Sequence, residues 1–332
     1  MTVNVLLVTR SDDNESVELV RHALKKHGAK GIRLDTDRYP TSVGLSTEFN
    51  RAKTRRVLHT EDGAVDLEKL RSIWYRRFLA GGQLPESLGD MRAACVDESR
   101  RQLYGTIAAC RCFHLDTLRA VRRCDHKELQ LLKARAFGLD VPRTLFSNVP
   151  DDVRRFAKSL KGPVITKMQH SFAIWRGDVE NVVFTNTISD DDLENLDGLA
   201  LSPMTFQEKL EKKVELRATV VGNRVFTAAV DSQALDGAKL DWRKEGMTLL
   251  DAWWKYELPR PVERALLKLT KWFGLNYAAA DFVVTPEGRH VFLEINAGGE
   301  FFWLQRTPGL PIVEALAEVL VGQAKRVDPG EA

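Results

Sequence analysis

The sequence predicts two fold classes in succession: an α/β lobe at the N-terminus, followed by two α+β subdomains. The 332 residues are too many for one compact core. Up to about residue 115, apolar runs alternate with amphipathic helices, whereas from about residue 121 short strands and helices follow one another in α+β order. The predicted units are 1–115, 116–205, 206–327 and a frayed tail of 328–332.

The predicted N-terminal lobe begins with a continuous apolar run over residues 3–9, which is typical of a strand covered on both faces. Asn14 or Ser16 can cap the amphipathic helix that follows, and Gly28 fits the C′ position at its end. Further strands are predicted at 32–35, 44–49, 56–59 and 73–77, and a longer helix at 91–112. This alternation predicts a small α/β domain.

The rest of the chain consists of shorter predicted elements. Asp125 can cap a helix that Gly138 ends. Gly222 and Asn223 join two strand-like runs, and because both residue types accept positive φ, the pair predicts a hairpin turn. The other predicted elements are a helix at 152–160 and strands at 143–146, 163–168, 182–187, 204–209, 215–221 and 224–231.

The charge and hydropathy of the chain exclude several classes of protein. The 49 Lys and Arg residues are interspersed with 46 Asp and Glu residues, and the net charge of +3 provides no basic face for nucleic acid. The apolar runs are far shorter than the ~20 residues of a membrane span, and the N-terminus lacks the features of a signal peptide. We therefore expect a cytoplasmic protein that binds neither nucleic acid nor membrane.

The clearest chemical signal lies near the C-terminus, where Asp281 ends one apolar run and Glu294 and Asn296 end the next. A turn sequence with Pro and Gly, from Thr285 to Arg289, separates the two runs and predicts an antiparallel hairpin. Glu294 and Asn296 are two residues apart, so they face the same side of a strand. Three converging oxygen ligands suit Mg²⁺. The alternative is a hairpin whose polar residues face water.

Two lysines and a hinge-like segment indicate a phosphate ligand and a nucleotide. Lys127 lies in the first turn of a predicted helix, and Lys167 ends an apolar strand, where an ammonium usually meets an anion because isolated buried charge is costly. The alternative for each lysine is a side chain that reaches solvent. Glu215 can hold ribose hydroxyls. Backbone groups for an adenine ring are predicted at Gln207, Glu208, Lys209 and Leu210. The fingerprint GxGxxG and the phosphate loop GxxxxGK[ST] are absent from the sequence.

In this order and spacing, the residues resemble the ATP-grasp superfamily. The resemblance covers about residues 115–325. It implies the ATP-grasp fold, with ATP enclosed between the two α+β subdomains and about two Mg²⁺ ions held by Asp281, Glu294 and Asn296. It also implies that a carboxylate is activated as an acyl phosphate before a nucleophile attacks it.

Two positions depart from the usual pattern of that superfamily. The segment from Gln169 to Trp175 replaces a glycine-rich loop, so Ser171 and backbone amides are the expected phosphate ligands there. Ala279 stands where an arginine is common, two residues before the first metal aspartate. The charge that stabilises the acyl phosphate is therefore expected from Lys167 together with Arg217, or with Arg243 as the second candidate.

A second resemblance covers nearly the whole chain and rests on the segments at 34–40, 73–77, 231–233, 241–243 and 296–303. The ligases that mature microviridin-type peptides, known as the graspetide family, join Asp or Glu side chains of a ribosomal precursor peptide to Ser, Thr or Lys side chains. This resemblance implies a precursor with leader and core as the substrate, macrocyclic esters or amides as products, and a homodimer.

Two alternative functions remain open on the sequence alone. One is a general carboxylate–amine ligase that acts on a free amino acid or a peptide tail, and the other is a catalytically silent module that binds nucleotide and peptide. The polar segment 231–246 is expected to contact the peptide through Arg243 and Lys244, unless it is an ordinary solvated loop. The aromatic residues Trp253, Trp254 and Tyr256 give a weak hint of a dimer interface.

Overall fold

The computed structural model describes residues 3–169, 173–176, 179–182, 185–234 and 250–327. Its helices are α1 Ser16–Lys26, α2 Met91–Ala108, α3 Leu118–Cys124, α4 Lys127–Ala136, α5 Pro150–Lys158, α6 Asp190–Glu194, α7 Arg260–Phe273, α8 Phe302–Arg306 and α9 Ile312–Val321. Its strands are β1 Val3–Thr9, β2 Ala29–Asp35, β3 Gly44–Phe49, β4 Thr54–Thr60, β5 Gly63–Asp66, β6 Leu70–Tyr75, β7 Phe113–Leu115, β8 Thr144–Ser147, β9 Val164–Lys167, β10 Ala173–Arg176, β11 Val179–Val182, β12 Asn186–Thr187, β13 Met204–Glu208, β14 Val214–Val221, β15 Arg224–Val230, β16 Trp254–Lys255, β17 Tyr277–Val284 and β18 His290–Asn296. Each helix in these ranges is too short or too polar to traverse a bilayer.

The N-terminal lobe is an α/β unit, as its alternating pattern predicts. Four parallel strands form a sheet in the order β2-β1-β6-β7, and residues 5–8 in the middle of β1 are at most 1% exposed. A second, antiparallel sheet of β3, β4 and β5 packs on the first through Leu58. Helix α2 ends at Ala108, four residues before its predicted end.

The N-terminal caps of two helices differ from the prediction. Glu15 occupies the N-cap of α1, and the side chain of Asn14 instead accepts a hydrogen bond from the Ser16 amide at 2.9 Å. Asp125 is the C-cap of α3, so the N-cap of α4 is His126. Sequence reasoning failed here because α3 and α4 follow one another without a loop long enough to separate them.

The central subdomain is an antiparallel sheet in the order β12-β9-β13-β8, with α5 and α6 beside it. Its small apolar core is separate from the rest of the molecule and contains Val153, Val164 and Phe206. The chain enters this unit at Arg143 and leaves it at Glu208, where the Glu208 amide donates to the Arg143 carbonyl at 3.0 Å. The chain therefore enters and leaves this subdomain at adjacent positions.

The C-terminal sheet has the order β16-β15-β14-β17-β18, and all of its pairs are antiparallel. The predicted hairpin between β14 and β15 is present, and of its two turn residues Gly222 has a positive φ, of 62°. Helix α9 covers one face of this sheet and also packs on α1. As a result, Leu7 and Val20 of the first lobe share one apolar core with Leu316.

Candidate active site

A cleft of about 1440 Å³ lies where the three parts of the molecule meet. Its walls come from the central subdomain, from the β17–β18 hairpin and from the carboxyl ends of β1 and β6. The residues predicted from sequence that line it are Lys127, Lys167, Gln207, Glu208, Lys209, Leu210, Glu215, Asp281, Glu294 and Asn296. These residues are spread over 170 positions of the sequence, so their convergence is a property of the fold.

The predicted acidic hairpin is the floor of this cleft. Asp281 stands directly opposite Glu294 in the register of β17 and β18, and Ala279 stands opposite Asn296. Glu294 and Asn296 lie on the same face, where the Asn296 amide donates to the Glu294 carboxylate at 3.1 Å. The hairpin therefore presents two carboxylates and an amide oxygen toward one space.

Lys127 contacts this oxygen set directly. Its ammonium lies 3.0 Å from a carboxylate oxygen of Glu294 and 3.2 Å from the amide oxygen of Asn296. The side chain of Gln130 donates to the Ile295 carbonyl and accepts from the Ile295 amide, at 2.8 and 3.0 Å, which fixes the first turn of α4 against β18. Burial alone would raise the pKa of Glu294, but the ammonium groups of Lys127 and Lys167 hold that pKa well below its ordinary value.

Arg217 lies behind the hairpin and contacts Asp281. The two residues are opposite each other in β14 and β17, and one guanidinium nitrogen reaches both carboxylate oxygens at 2.8 and 2.9 Å. The other terminal nitrogen donates to the Glu300 carbonyl at 3.2 Å. Burial would lower the pKa of Arg217, but the Asp281 carboxylate outweighs it and raises the pKa. Arg217 therefore orients Asp281 and does not itself line the cleft.

The predicted nucleotide segment lies on the opposite wall. Gln207 is buried and donates to the Thr144 hydroxyl at 2.8 Å, and the Glu208 carboxylate accepts from the Arg143 amide at 2.9 Å. These bonds fix the end of β13, from which the backbone runs along the cleft. Glu215 accepts from Lys212 at 3.0 Å at the same end. Two further predicted residues, Ser171 and Arg243, lie outside the described residues.

Sequence reasoning missed an ion network at the other end of the cleft. Arg76 contacts Asp13 at 2.8 Å and Glu300 at 2.6 Å, and Arg77 contacts Asp13 at 3.1 Å and also Glu300. The Asn14 amide donates to Glu300 at 2.6 Å. A topological signal was available, because Asp13 follows β1 and the arginines follow β6. The carboxyl ends of neighbouring parallel strands meet at one edge of a sheet.

The comparisons with known proteins cover nearly the whole chain. Residues 4–122 match the family model of the MvdD pre-ATP grasp domain. The chain is 39% identical to a Chryseobacterium gregarium RiPP-associated ATP-grasp ligase in complex with ADP and a leader and core peptide, with a TM-score of 0.95 over 98% of this chain and 99% of that one. It is 42% identical to the macrocyclase MdnC of Microcystis aeruginosa MRC bound with precursor peptide MdnA, with a TM-score of 0.89 over 97% and 100% of the two chains.

A more distant likeness is to another ligase. The chain is 28% identical over 203 residues to a probable alpha-L-glutamate ligase of Vibrio parahaemolyticus. That match spans 60% of this chain and 63% of the relative, so less than two thirds of the curated relative is covered. The fold and the likenesses define an ATP-grasp ligase, an enzyme that uses ATP. Within that class, the chain belongs to the RiPP-associated ATP-grasp ligases.

Proposed function

We propose that this ligase cyclises a ribosomal precursor peptide by joining Asp or Glu side chains to Ser, Thr or Lys side chains of the same peptide. The observation that carries the proposal is the similarity, over nearly the full length, to two ligases that were solved with their precursor peptides. The cleft supports it, because an acidic hairpin and two lysines lie beside a wall suited to a nucleotide.

We assign different parts of the cleft to the nucleotide and to the metal. Backbone groups of 207–210 would hold adenine and Glu215 the ribose, while Lys127 and Lys167 would meet the phosphates. Asp281, Glu294 and Asn296 would hold the two Mg²⁺ ions that the resemblance implies, and the metal would neutralise phosphate charge. The donor set fits a cation, because the Lys127 ammonium already lies within 3.2 Å of Glu294 and Asn296.

The proposed reaction has two steps. A carboxylate oxygen of the peptide bonds to the γ-phosphorus of ATP, the bond from that phosphorus to the bridging oxygen breaks, and ADP leaves. A hydroxyl or amine of the same peptide then attacks the acyl carbon, phosphate leaves, and the nucleophile loses its proton to solvent. Lys167 would offset negative charge as it spreads in the first step, and Arg217 would contribute indirectly by orienting Asp281. Because both groups belong to one chain, the second step depends mainly on positioning.

Mass spectrometry of the peptide tests the proposal. The purified chain is incubated with ATP, Mg²⁺ and precursor peptide MdnA, and in parallel with any short acidic peptide encoded beside its gene. We expect the loss of one water mass per ring, dependent on ATP. Turnover of ATP with free amino acids and no effect on any peptide would instead support the general ligase, which the similarity to alpha-L-glutamate ligases favours. Peptide binding without any ATP turnover would contradict both.

Three further expectations remain proposals. A homodimer is tested by sedimentation, and the aromatic segment gives it little support, because Trp253 is 3% exposed and packs on Trp303 while only Trp254, at 43%, is open to a partner. The cytoplasm remains the proposed location. The predicted peptide contact through Arg243 and Lys244 lies outside the described residues and is tested by peptide affinity in Arg243→Ala.

A further inference from the structure

Protein carboxylates hold the guanidinium of Arg77 in place through two of its three nitrogens. Its Nε lies 3.1 Å from Asp13, and its Nη2 donates to Glu300. Within the ranges that the structure describes, Nη1 donates to no protein group. The side chain is 36% exposed and lines the cleft, so a ligand can reach this nitrogen. An arginine in this state has donors left for a ligand, in a fixed orientation.

The network around Arg77 explains why its orientation is fixed. The side chains of Arg76 and Asp13 are 1% and 0% exposed, so they form a rigid base beneath it. Glu300 accepts from Arg76 and Asn14 as well as from Arg77. The two arginines and two carboxylates of this network cancel in charge, so an anion that arrives at Nη1 meets a positive group without displacing a buried ion.

The position of the network relates it to the reaction. The Glu300 carbonyl accepts from Arg217 at 3.2 Å, and the same guanidinium holds Asp281 at 2.8 Å. Arg77 is therefore linked through Glu300 and one arginine to the floor of the cleft. A substrate carboxylate that approaches a triphosphate is repelled by it, and a cation on the side opposite the nucleotide offsets this repulsion.

We propose that Arg77 binds the substrate carboxylate that becomes the acyl phosphate, with Arg76, Asp13 and Glu300 as the residues that position it. This proposal rests on the proposed function. On this proposal, one arginine of the N-terminal lobe makes the enzyme prefer Asp or Glu side chains to the corresponding Asn or Gln side chains. A neutral amide oxygen can accept from Nη1 but carries no negative charge, so the carboxylate of an Asp or Glu side chain is bound more strongly.

The test compares MdnA with variants in which each acidic residue of its core is replaced in turn by the amide. The enzymes are wild type, Arg77→Gln, Arg77→Lys and the control Arg10→Gln. Arg10 lines the same end of the cleft, but it is paired with Asp12 at the surface. For Arg77→Gln we expect kcat/KM for MdnA to fall about 50-fold or more. Arg77→Lys should recover part of that loss, and Arg10→Gln should stay within about threefold.

The readout beyond activity is binding with ADP present. We expect wild type to bind a core peptide with a single Glu about tenfold more tightly than the same peptide with Gln, and Arg77→Gln to bind the two equally. ADP affinity, unchanged in Arg77→Gln, shows that the variant is folded. If wild type and Arg77→Gln preferred the Glu peptide over the Gln peptide by the same factor, the role of Arg77 would be overturned, but the proposed function would not. Failure of wild type to dehydrate any peptide would overturn the proposed function itself.

Discussion

At the residue scale, charged groups of the cleft are already paired with groups of opposite charge. Lys127 contacts Glu294, Arg217 contacts Asp281, and Lys212 contacts Glu215. Charges that leave water without a partner are costly, so these pairs stabilise the cleft before any ligand arrives. When a triphosphate and its cation bind, lysine–carboxylate pairs of the cleft can be replaced by lysine–phosphate and carboxylate–cation pairs, with little change in total charge.

The first prediction concerns Glu294, whose removal leaves Lys127 without its carboxylate. We expect Glu294→Gln to lower the rate of ADP formation about 10²–10³-fold, because a neutral amide cannot help to hold the cation that offsets phosphate charge. A coupled assay for ADP at saturating ATP and peptide measures this. Glu211→Gln is the matched control, since Glu211 lines the same cleft but is exposed, and should stay within about twofold. Similar rates in both variants would contradict the site.

The second prediction concerns Glu300 and pH. Burial would raise the pKa of Glu300, but the guanidinium groups of Arg76 and Arg77 and the Asn14 amide outweigh it and lower that pKa. A lowered pKa in the folded state contributes stability above the unfolded value of about 4.3, which is lost as pH falls. We therefore expect Glu300→Gln to be less stable than wild type by about 1–3 kcal/mol at pH 7. That difference should narrow as pH is lowered toward 3.

Urea denaturation at several pH values measures this difference in unfolding free energy. The slope of each curve must agree between the two proteins, so that a change in midpoint reports stability alone. A difference that stays constant from pH 7 to pH 3 would contradict the prediction, because it would indicate that packing rather than ionisation of Glu300 is responsible.

At the element scale, the segment after β18 is shaped by two glycines with different surroundings. A Cβ added to Gly299 would lie 2.5 Å from the Ala279 Cβ and 2.8 Å from a terminal nitrogen of Arg217. A Cβ added to Gly298 would meet only the Arg76 carbonyl oxygen, at an ordinary distance of 3.5 Å. Close packing of this turn on β17 and on Arg217 therefore requires glycine at 299 and not at 298.

The third prediction uses this pair of glycines. Gly299→Ala should destabilise the protein by about 1–3 kcal/mol, as overpacking does in a well-packed core. It should also lower kcat/KM at least tenfold, because Arg217 must move away from Asp281. Gly298→Ala should change both quantities little. Thermal unfolding and peptide turnover measure the two effects, and equal behaviour of the two variants would show that the contact with Arg217 is unimportant.

The elements that could be predicted from sequence are those whose signal is local. The antiparallel hairpin that brings Asp281 close to Glu294 followed from two apolar runs and a turn between them, and the structure contains it. The partner of Lys127 could not be predicted, since it is 169 residues away and only the packing of α4 on β18 brings them together. The fold class followed from the order of the site residues and the family from the resemblance of several short segments, whereas the roles of the individual site residues stay predictions.

At the scale of the whole molecule, the N-terminal lobe and the C-terminal sheet cannot be separated without exposing apolar surface. Helix α1 buries Val17 and Val20 in the same core as Leu316 and Leu320 of α9. Asp116, which is buried, also accepts from the backbone N–H of Asn276 at 2.7 Å across the boundary between these parts. The sequence suggests an independent first domain, but its apolar stripe is completed only by the end of the chain.

The fourth prediction concerns a fragment of residues 1–122. We expect it to lack fixed tertiary packing when expressed alone, because the face of α1 that packs on α9 would be exposed. Near-ultraviolet circular dichroism and binding of a hydrophobic dye measure this, with the full chain as the control. A cooperative thermal transition of the fragment with native-like dichroism would contradict the prediction.

The meeting of the two ends of the central subdomain at Arg143 and Glu208 has a consequence for protein engineering. Residues 144–207 form a loop in the topological sense, with their own apolar core and with entry and exit points joined by a hydrogen bond of 3.0 Å. A segment of this kind can be exchanged as a cassette, since neither flank has to stretch when another family member's version is inserted. Chimeras made at this junction would combine the central subdomain of one enzyme with the acidic hairpin of another.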